Sequence, residues 1–542
     1  MTHAEVLKEY PRAIVHLRLQ FEKHRFGVVL GAGVGRDFKV PMWRDLVARI
    51  AKDPRVNGTR LLEGEVGSKS LPYKSEMLFQ LFRENTLKTA DKNLSNMLQD
   101  SIVISKWLDI CAEHIYSDVD PDLQAALAAH PYFNALLPLV QGSHLTINFN
   151  FDDFLERSLA LNRKEDDKGT RGFETVTDPW PQFRRSNSVI YHPHGMVPDR
   201  ARVMELPVDR FVFSEAAYSA QYVGSRGHDT SFLLAHFARN TCLLLGCALE
   251  EELRNVLMRG AQINPGNYHY YIHYVEDDTS GPSAAQRALI AETNFNVYNL
   301  ITLFLTKPKI KALLELLNPN VTDDKRLKDE ADQCEVSLKY SYYLTGALGV
   351  GKTTVANLLR NLHVLDEWQE IRPEILARPW DSLTEAERKE ADDWIAGQFH
   401  AKNNALRDLE SVIAIVDRPP LDPLVFAKKE DRRLKAKTLL DRICPNRKWK
   451  IEAGTVILLT GDPEVLSARV RARGRDEYSE QKLQDMQEDL LSIYQGCNVN
   501  TIDTKNLSVL EVARKVAWVV HRLEYAPCDL NWALLKHAGE TV

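Results

Sequence analysis

A CxxC pair is missing from this sequence. Its seven cysteines, Cys111, Cys242, Cys247, Cys334, Cys444, Cys497 and Cys528, have no metal-ligand spacing, so neither a structural zinc site nor a disulfide framework is indicated. Also missing is any apolar run long enough to cross a bilayer. The start, MTHAEVLKEYPR, lacks a signal-peptide hydrophobic region, so a cytoplasmic protein with no membrane partner is expected. No charge sign dominates: 69 Lys and Arg against 75 Asp and Glu leave a net charge of -6, which gives no general affinity for nucleic acid. What is there, 44% hydrophobic and 27% charged residues, is ordinary globular composition. At 542 residues the chain is too long for one core, and two domains are expected.

One stretch shows where to divide it. In YYLTGALGVGKTTVANLL, Tyr342–Thr345 reads as the end of a buried strand and Thr353–Leu359 as the start of a helix. Between them Gly346, Gly349, Gly351, Lys352 and Thr353, with Thr354 following, fit G-x-x-x-x-G-K-[ST]. Glycines let such a loop wrap so that backbone N–H groups face phosphate oxygens, and the helix N-terminus adds partial positive charge. Lys352 would reach the outer phosphates and Thr353 would hold Mg²⁺. A phosphate loop opens its own domain, so another domain must fill the residues before it.

Residues 1–25 read as helical, with Ile14, Leu17 and Phe21 spaced for one buried face. Phe26–Leu30 is a short apolar strand running into Gly31-Ala32-Gly33-Val34-Gly35. Strand then glycine turn opens a nucleotide-binding βα unit, although the same residues also suit a purely structural turn. Residues 61–140 read as helices without chemistry. Leu145–Phe149 reads as a strand that delivers Asn150, Asp152 and Asp153 to its C-terminal end, where parallel sheets bind ligands; a helix cap is the plain alternative. Val189–Tyr191 runs into His192-Pro193-His194-Gly195, and Thr241–Leu245 into Gly246-Cys247-Ala248-Leu249-Glu250-Glu251. Tyr268–Val275 and Asn296–Phe304 supply two more strands, so a doubly wound parallel sheet is expected.

Taken together, GAGVG with Pro41-Met42-Trp43, NFDDFLE, HPHG and GCALEE resemble, in order, the GAGxS…PxW, NYDDLLE, HxHG and GxSxxD motifs of the sirtuin-like domains of bacterial defence proteins. The resemblance spans about 300 residues. Gly35 stands where the family has serine, and Ala248 and Glu251 where it has serine and aspartate. The resemblance implies that Gly31, Ala32, Gly33, Val34, Pro41, Trp43, Gly246, Cys247 and Glu251 contact NAD. It also implies that Asn150 and Asp152 hold water and the nicotinamide ribose, and that His194 is the base. Breaking the C1′–N bond passes through a cationic state, and a neutral imidazole can take a proton as charge develops. Sirtuin deacylases carry a four-cysteine zinc module that this chain has no cysteine pairs to build, which favours hydrolysis over deacylation.

Residues 318–335 are polar enough for a linker. Beyond them Ser411–Val416 reads as a strand delivering Asp417 and Arg418, and a helix opening at Pro463 is expected to place Arg469 and Arg473 on one face. A capped proline turn and a solvated basic face are the plain alternatives; beside a phosphate loop the arginines suit a lid. GALGVGKTT, DRPPLDP and DPEVLSARVRARGR resemble the deoxynucleoside and nucleoside-monophosphate kinases. That resemblance implies ATP or a deoxynucleotide with Mg²⁺ at Thr353 and Asp417, and leaves Glu367 or Asp417 as the base.

The expected architecture is α/β. Residues 1–317 form a Rossmann-like, sirtuin-like doubly wound sheet with a helical insert over about 61–140, and a P-loop kinase-like domain occupies 336–542. The expected function is NAD hydrolysis, with NAD as substrate, gated by (deoxy)nucleotides whose pools change during phage infection. A homo-oligomer is expected. The alternative from another class is a metabolic nucleotide kinase with a regulatory NAD- or ADP-ribose-binding half.

Overall fold

The protein is described from a computed structural model, over residues 2–89, 95–162, 172–177, 188–199, 213, 228–277, 281–378, 382–474 and 477–540. It divides into two compact units. The first comprises residues 1–6, 20–263 and 268–327, and the second 7–19, 264–267 and 328–542.

The first unit is built on seven strands: β1 (Phe26–Leu30), β2 (Leu145–Asn148), β3 (Phe173–Val176), β4 (Ser188–Tyr191), β5 (Thr241–Leu245), β6 (His269–Tyr274) and β7 (Leu300–Leu305). They lie in the order β3-β4-β2-β1-β5-β6-β7, and every pairing is parallel. Parallel strands covered on both faces need continuous apolar runs, and FGVVL, TCLLL and LITLFL are buried at every position. Val29, Ile147, Tyr191, Leu244 and Leu257 share one core. β1 lies between β2 and β5, so the order reverses there, and the loops after β1, β2, β4 and β5 leave the same edge.

The span 61–140 carries the helices Leu71–Thr89, Asn96–Tyr116 and Leu123–Ala129 and the start of Pro131–Gly142. Leu78, Phe82, Trp107 and Ile110 bury a common face with Leu46 and Ile50.

The second unit contains β8 (Lys339–Gly346), β9 (His363–Leu365), β10 (Val412–Asp417), β11 (Thr455–Thr460) and β12 (Val499–Asp503). The order is β12-β11-β8-β10-β9, again all parallel, with the phosphate loop leaving the central strand at the point of reversal.

Several expectations need correction. Asn296–Tyr298 ends the helix Ala284–Tyr298 rather than beginning a strand, and Asn299, in the left-handed region, separates helix from β7. The polar segment 318–335 carries the helix Asp324–Gln333. The helix from Pro463 stops at Arg471, so Arg473 lies in the following turn and shares no helix face with Arg469. Cys497 and Cys528 form a disulfide, 31 residues apart, a pairing that spacing alone does not reveal.

Candidate functional site

The loop after β2 is fixed from three sides. Asn148 Oδ1 accepts from Asn150 N at 3.1 Å, and Asp152 Oδ1 accepts from Phe154 N at 3.1 Å, opening the helix Phe154–Leu161. His192 is fully buried, with Nδ1 3.0 Å from the Asn150 carbonyl and Nε2 2.8 Å from Glu156 Oε1. A carbonyl and a carboxylate at its two nitrogens favour hydrogen on both, and hence the charged ring. Burial opposes that charge, but Glu156 and the Asn150 carbonyl raise its pKa overall. His192 therefore positions Asn150. Neither His192 nor Glu156 shows this role in the sequence, although they lie inside HPHG and NFDDFLE.

The adjacent carboxylates divide their work. Asp153 is structural: its Oδ2 accepts from Asp199 N at 3.0 Å, and Oδ1 lies 3.0 Å from the Tyr116 hydroxyl and 3.5 Å from Arg157. Tyr116 also reaches the Val197 carbonyl at 2.7 Å, so the helical insert braces the loops after both β2 and β4. Asp152 Oδ2 and Asn150 Oδ1 are buried and have no hydrogen-bond partner among the described residues. Burial, with the nearby Asp153 and Glu156 charges, pushes Asp152 up to about 6, against the Phe154 N–H. Gly35 stands beside it: a Cβ there would lie 3.3 Å from Asp152 Oδ2, the side on which the family's serine would sit.

His194 follows β4. Its ring lies 5.4 Å from Phe149, 6.2 Å from Phe151 and 6.4 Å from Trp43, centroid to centroid. Its Nε2 is 2.8 Å from Glu252 Oε2. Glu251, the carboxylate expected from the fourth motif, is exposed, and Glu252 beside it is the one that meets His194.

The glycine turns after β1 and β5 pack on each other. Gly31 N and Gly33 N donate to the Leu245 and Gly246 carbonyls, and a Cβ on Gly31 would come within 2.6 Å of Gly246 O. Gly246, at φ +69°, would clash with Val34 if substituted. These glycines join two turns, while Ala32 and Gly33 remain exposed at the sheet edge. The Cys247 side chain is buried instead, directed at the Val29 and Leu245 carbonyls, and its thiol is pushed up to about 12 by burial. Only its backbone remains for a ligand. Pro41 is half-buried and precedes the helix Trp43–Lys52.

In the second unit, Gly346 (φ +147°) and Gly349 (φ +81°) adopt conformations open to glycine, and a Cβ on Gly346 would lie 2.4 Å from Leu459 O. Lys352 opens the helix Lys352–Leu358 with Gly351 as its cap, and its Nζ donates to the Gly346 and Ala347 carbonyls at 2.7 and 3.0 Å. Thr353 Oγ1 donates to Asp417 Oδ2 at 2.8 Å, and Asp417 Oδ1 is buried with no hydrogen-bond partner among the described residues. A hydroxyl paired with a carboxylate that has a spare oxygen fits a Mg²⁺ site of hard oxygen donors. Thr354 is exposed on the same helix turn. Arg469 Nη1 reaches the Gly349 carbonyl at 3.4 Å, whereas Arg473 is exposed in its turn.

Beside this loop is a buried charge cluster. Arg418 takes φ +66°, a conformation unusual for a side chain of that size, and its Nε donates to Glu367 Oε1 at 2.6 Å. Lys402 Nζ donates to the Asp417 and Arg418 carbonyls at 2.8 and 3.1 Å. Asp422 Oδ1 accepts from Thr345 and Tyr494. Burial lowers both Lys352 and Lys402 to about 8. Burial opposes the Glu367 charge too, but Arg418 and Lys352 hold its carboxyl below the usual range.

Residues 144–298 match the SIR2-like domain family, and residues 341–511 match the AAA domain family. No curated protein matches the chain. The chain thus carries a sirtuin-like domain followed by a P-loop nucleotide-binding domain, an α/β architecture with two all-parallel sheets. Among the described residues, no group of three or more His, Cys, Asp or Glu could hold a metal ion, and no helix is long and apolar enough to cross a membrane.

Proposed function

We propose that the first unit hydrolyses NAD to nicotinamide and ADP-ribose, and that nucleotide bound at the P-loop gates it. The observation that carries the reading is the pair of buried oxygens, Asn150 Oδ1 and Asp152 Oδ2, at the edge of the sheet from which His194 also projects. Buried polar atoms are nearly always satisfied, so these two call for a ligand or its attacking water. In the reaction the C1′–N bond breaks, nicotinamide leaves with the bonding electrons, and water adds at C1′. Asn150 would hold that water, His194 would take its proton, and ionised Asp152 would offset positive charge growing on the ribose. Uncontrolled NAD loss harms a cell, which fits a defence role and a gate; Lys352, Thr353 and Asp417 would hold the gating nucleotide and Mg²⁺.

The Glu367–Arg418 pair favours a second reading, phosphoryl transfer by the second unit. Asp417 is turned to Thr353 on the metal side, so Glu367 would be the carboxylate facing an acceptor hydroxyl. The test is incubation of the full-length protein with NAD, Mg²⁺ and each deoxynucleoside triphosphate, following nicotinamide. Release in at least one mixture, abolished by His194→Ala and by Asn150→Ala, is expected. Phosphoryl transfer with no nicotinamide release from wild type would overturn the hydrolase reading.

A further inference from the structure

We propose that Glu252 is the positioning residue of the His194 base, fixing which ring nitrogen carries the proton. The proposal rests on the NAD-hydrolase reading for its catalytic meaning. Glu252 is the second residue of the helix Glu251–Ile263, a place where a carboxylate ordinarily serves the helix's own N-terminus. Here it approaches His194 instead, Oε2 to Nε2 at 2.8 Å, and only 7% of the Glu252 side chain and 9% of the His194 side chain is exposed.

A carboxylate can only accept, so Nε2 is the donor and carries hydrogen, and in the neutral ring Nδ1 holds the lone pair. The two histidines of HPHG are thereby separated by their partners. His192 faces an acceptor from each nitrogen, which favours the charged ring, without a lone pair to offer. His194 has a carboxylate at Nε2, which puts the neutral ring's lone pair on Nδ1, the atom that would act as the base, and stabilises the imidazolium once it has taken a proton. Phe149, Phe151 and Trp43 surround the ring, limiting its rotation and excluding water that would weaken the pair. Arg259, exposed further along the same helix, serves as the internal control.

The experiment uses full-length wild type, Glu252→Ala, Glu252→Gln and Arg259→Gln, with NAD, Mg²⁺ and each deoxynucleoside triphosphate. A general base contributes about 10²–10⁴-fold, so Glu252→Ala should lower kcat about 10²-fold with the KM for NAD within about twofold. Glu252→Gln, whose amide oxygen still accepts from Nε2–H but brings no charge, should recover part of that loss, and Arg259→Gln should match wild type. In parallel, ¹⁵N spectra of histidine-labelled protein should show His194 protonated at Nε2 in wild type and without that preference in Glu252→Ala. Wild-type kcat in Glu252→Ala, a raised KM with kcat intact, or an Nδ1–H tautomer in wild type would each overturn the proposal. If Glu252→Ala does not fold, Glu252→Gln and the wild-type spectrum decide. If wild type releases no nicotinamide in any mixture, the hydrolase reading fails, and the spectra still decide whether Glu252 sets the tautomer.

Discussion

Asp152 and Asp153 are neighbours in sequence, and only their surroundings tell them apart. Asp153 is clasped by Asp199, Arg157 and Tyr116, while Asp152 keeps one buried oxygen without a hydrogen-bond partner among the described residues. Burial raises Asp152 from 3.8 to about 6. Between those values the folded protein keeps a proton that the unfolded chain releases, so this group makes folding less favourable as pH rises through that window. Asp152→Asn removes the buried charge. It should therefore be more stable than wild type at pH 7.5, by up to about 3 kcal/mol, and the gain should shrink toward pH 5. Thermal unfolding at both pH values measures this, and a gain that does not change with pH would contradict it. A site that is more stable without its carboxylate is expected where function, not folding, places the charge. Asn150, Asp152 and His194 could be singled out in the sequence because each lies in the loop after a strand, inside a short motif. Glu252 could not, because its partner is 58 residues away and the adjacent Glu251 fits the motif's spacing better.

At the scale of elements, the strand–loop–helix around Lys352 was legible because its contacts are local: Gly346 and Ala347 take the lysine's hydrogen bonds six and five residues away. Elements set by tertiary packing were less so. β3, the edge strand Phe173–Val176, was not foreseen, and Arg473 fell outside the helix assigned to it. The Cys497–Cys528 bond also depends on folding, not spacing. The buried loop has a measurable proton linkage. Lys352 sits near 8 because burial, and then Arg418, disfavour its charge, so at pH 8.5 much of it is neutral. Phosphate oxygens favour the charged form, and a nucleoside triphosphate should therefore bind with net proton uptake at that pH. Titration calorimetry in buffers of different ionisation enthalpy should show the uptake, with less of it in Lys352→Met. Binding heats independent of buffer would show that Lys352 is already charged in the free protein.

At the scale of the whole molecule, the chain passes between the two units more often than a linear two-domain reading anticipates. Residues 7–19 and 264–267 group with the P-loop unit although both are flanked by residues of the sirtuin-like unit. The helix Glu251–Ile263, which carries Glu252 at its start, ends where the chain enters residues 264–267. A change in the second unit is thus covalently linked to the element that meets His194, and cutting near 317 would strand residues 7–19 without their unit. The gate is accordingly tested in the full chain. Lys352→Ala should reduce NAD hydrolysis although Lys352 belongs to the other unit, because bound nucleotide can shift a population only through its differential affinity for the two states. Coupling of this kind is typically about 1–3 kcal/mol, or roughly 5–150-fold, so stimulation of nicotinamide release by nucleotide should fall by a factor in that range. The comparison is wild type against Lys352→Ala across deoxynucleoside triphosphates, with nucleotide binding measured separately. If the variant no longer binds nucleotide yet hydrolyses NAD like stimulated wild type, the second unit does not activate the first. Faster hydrolysis by the variant than by unstimulated wild type would instead make Lys352 part of a brake, reversing the direction of control.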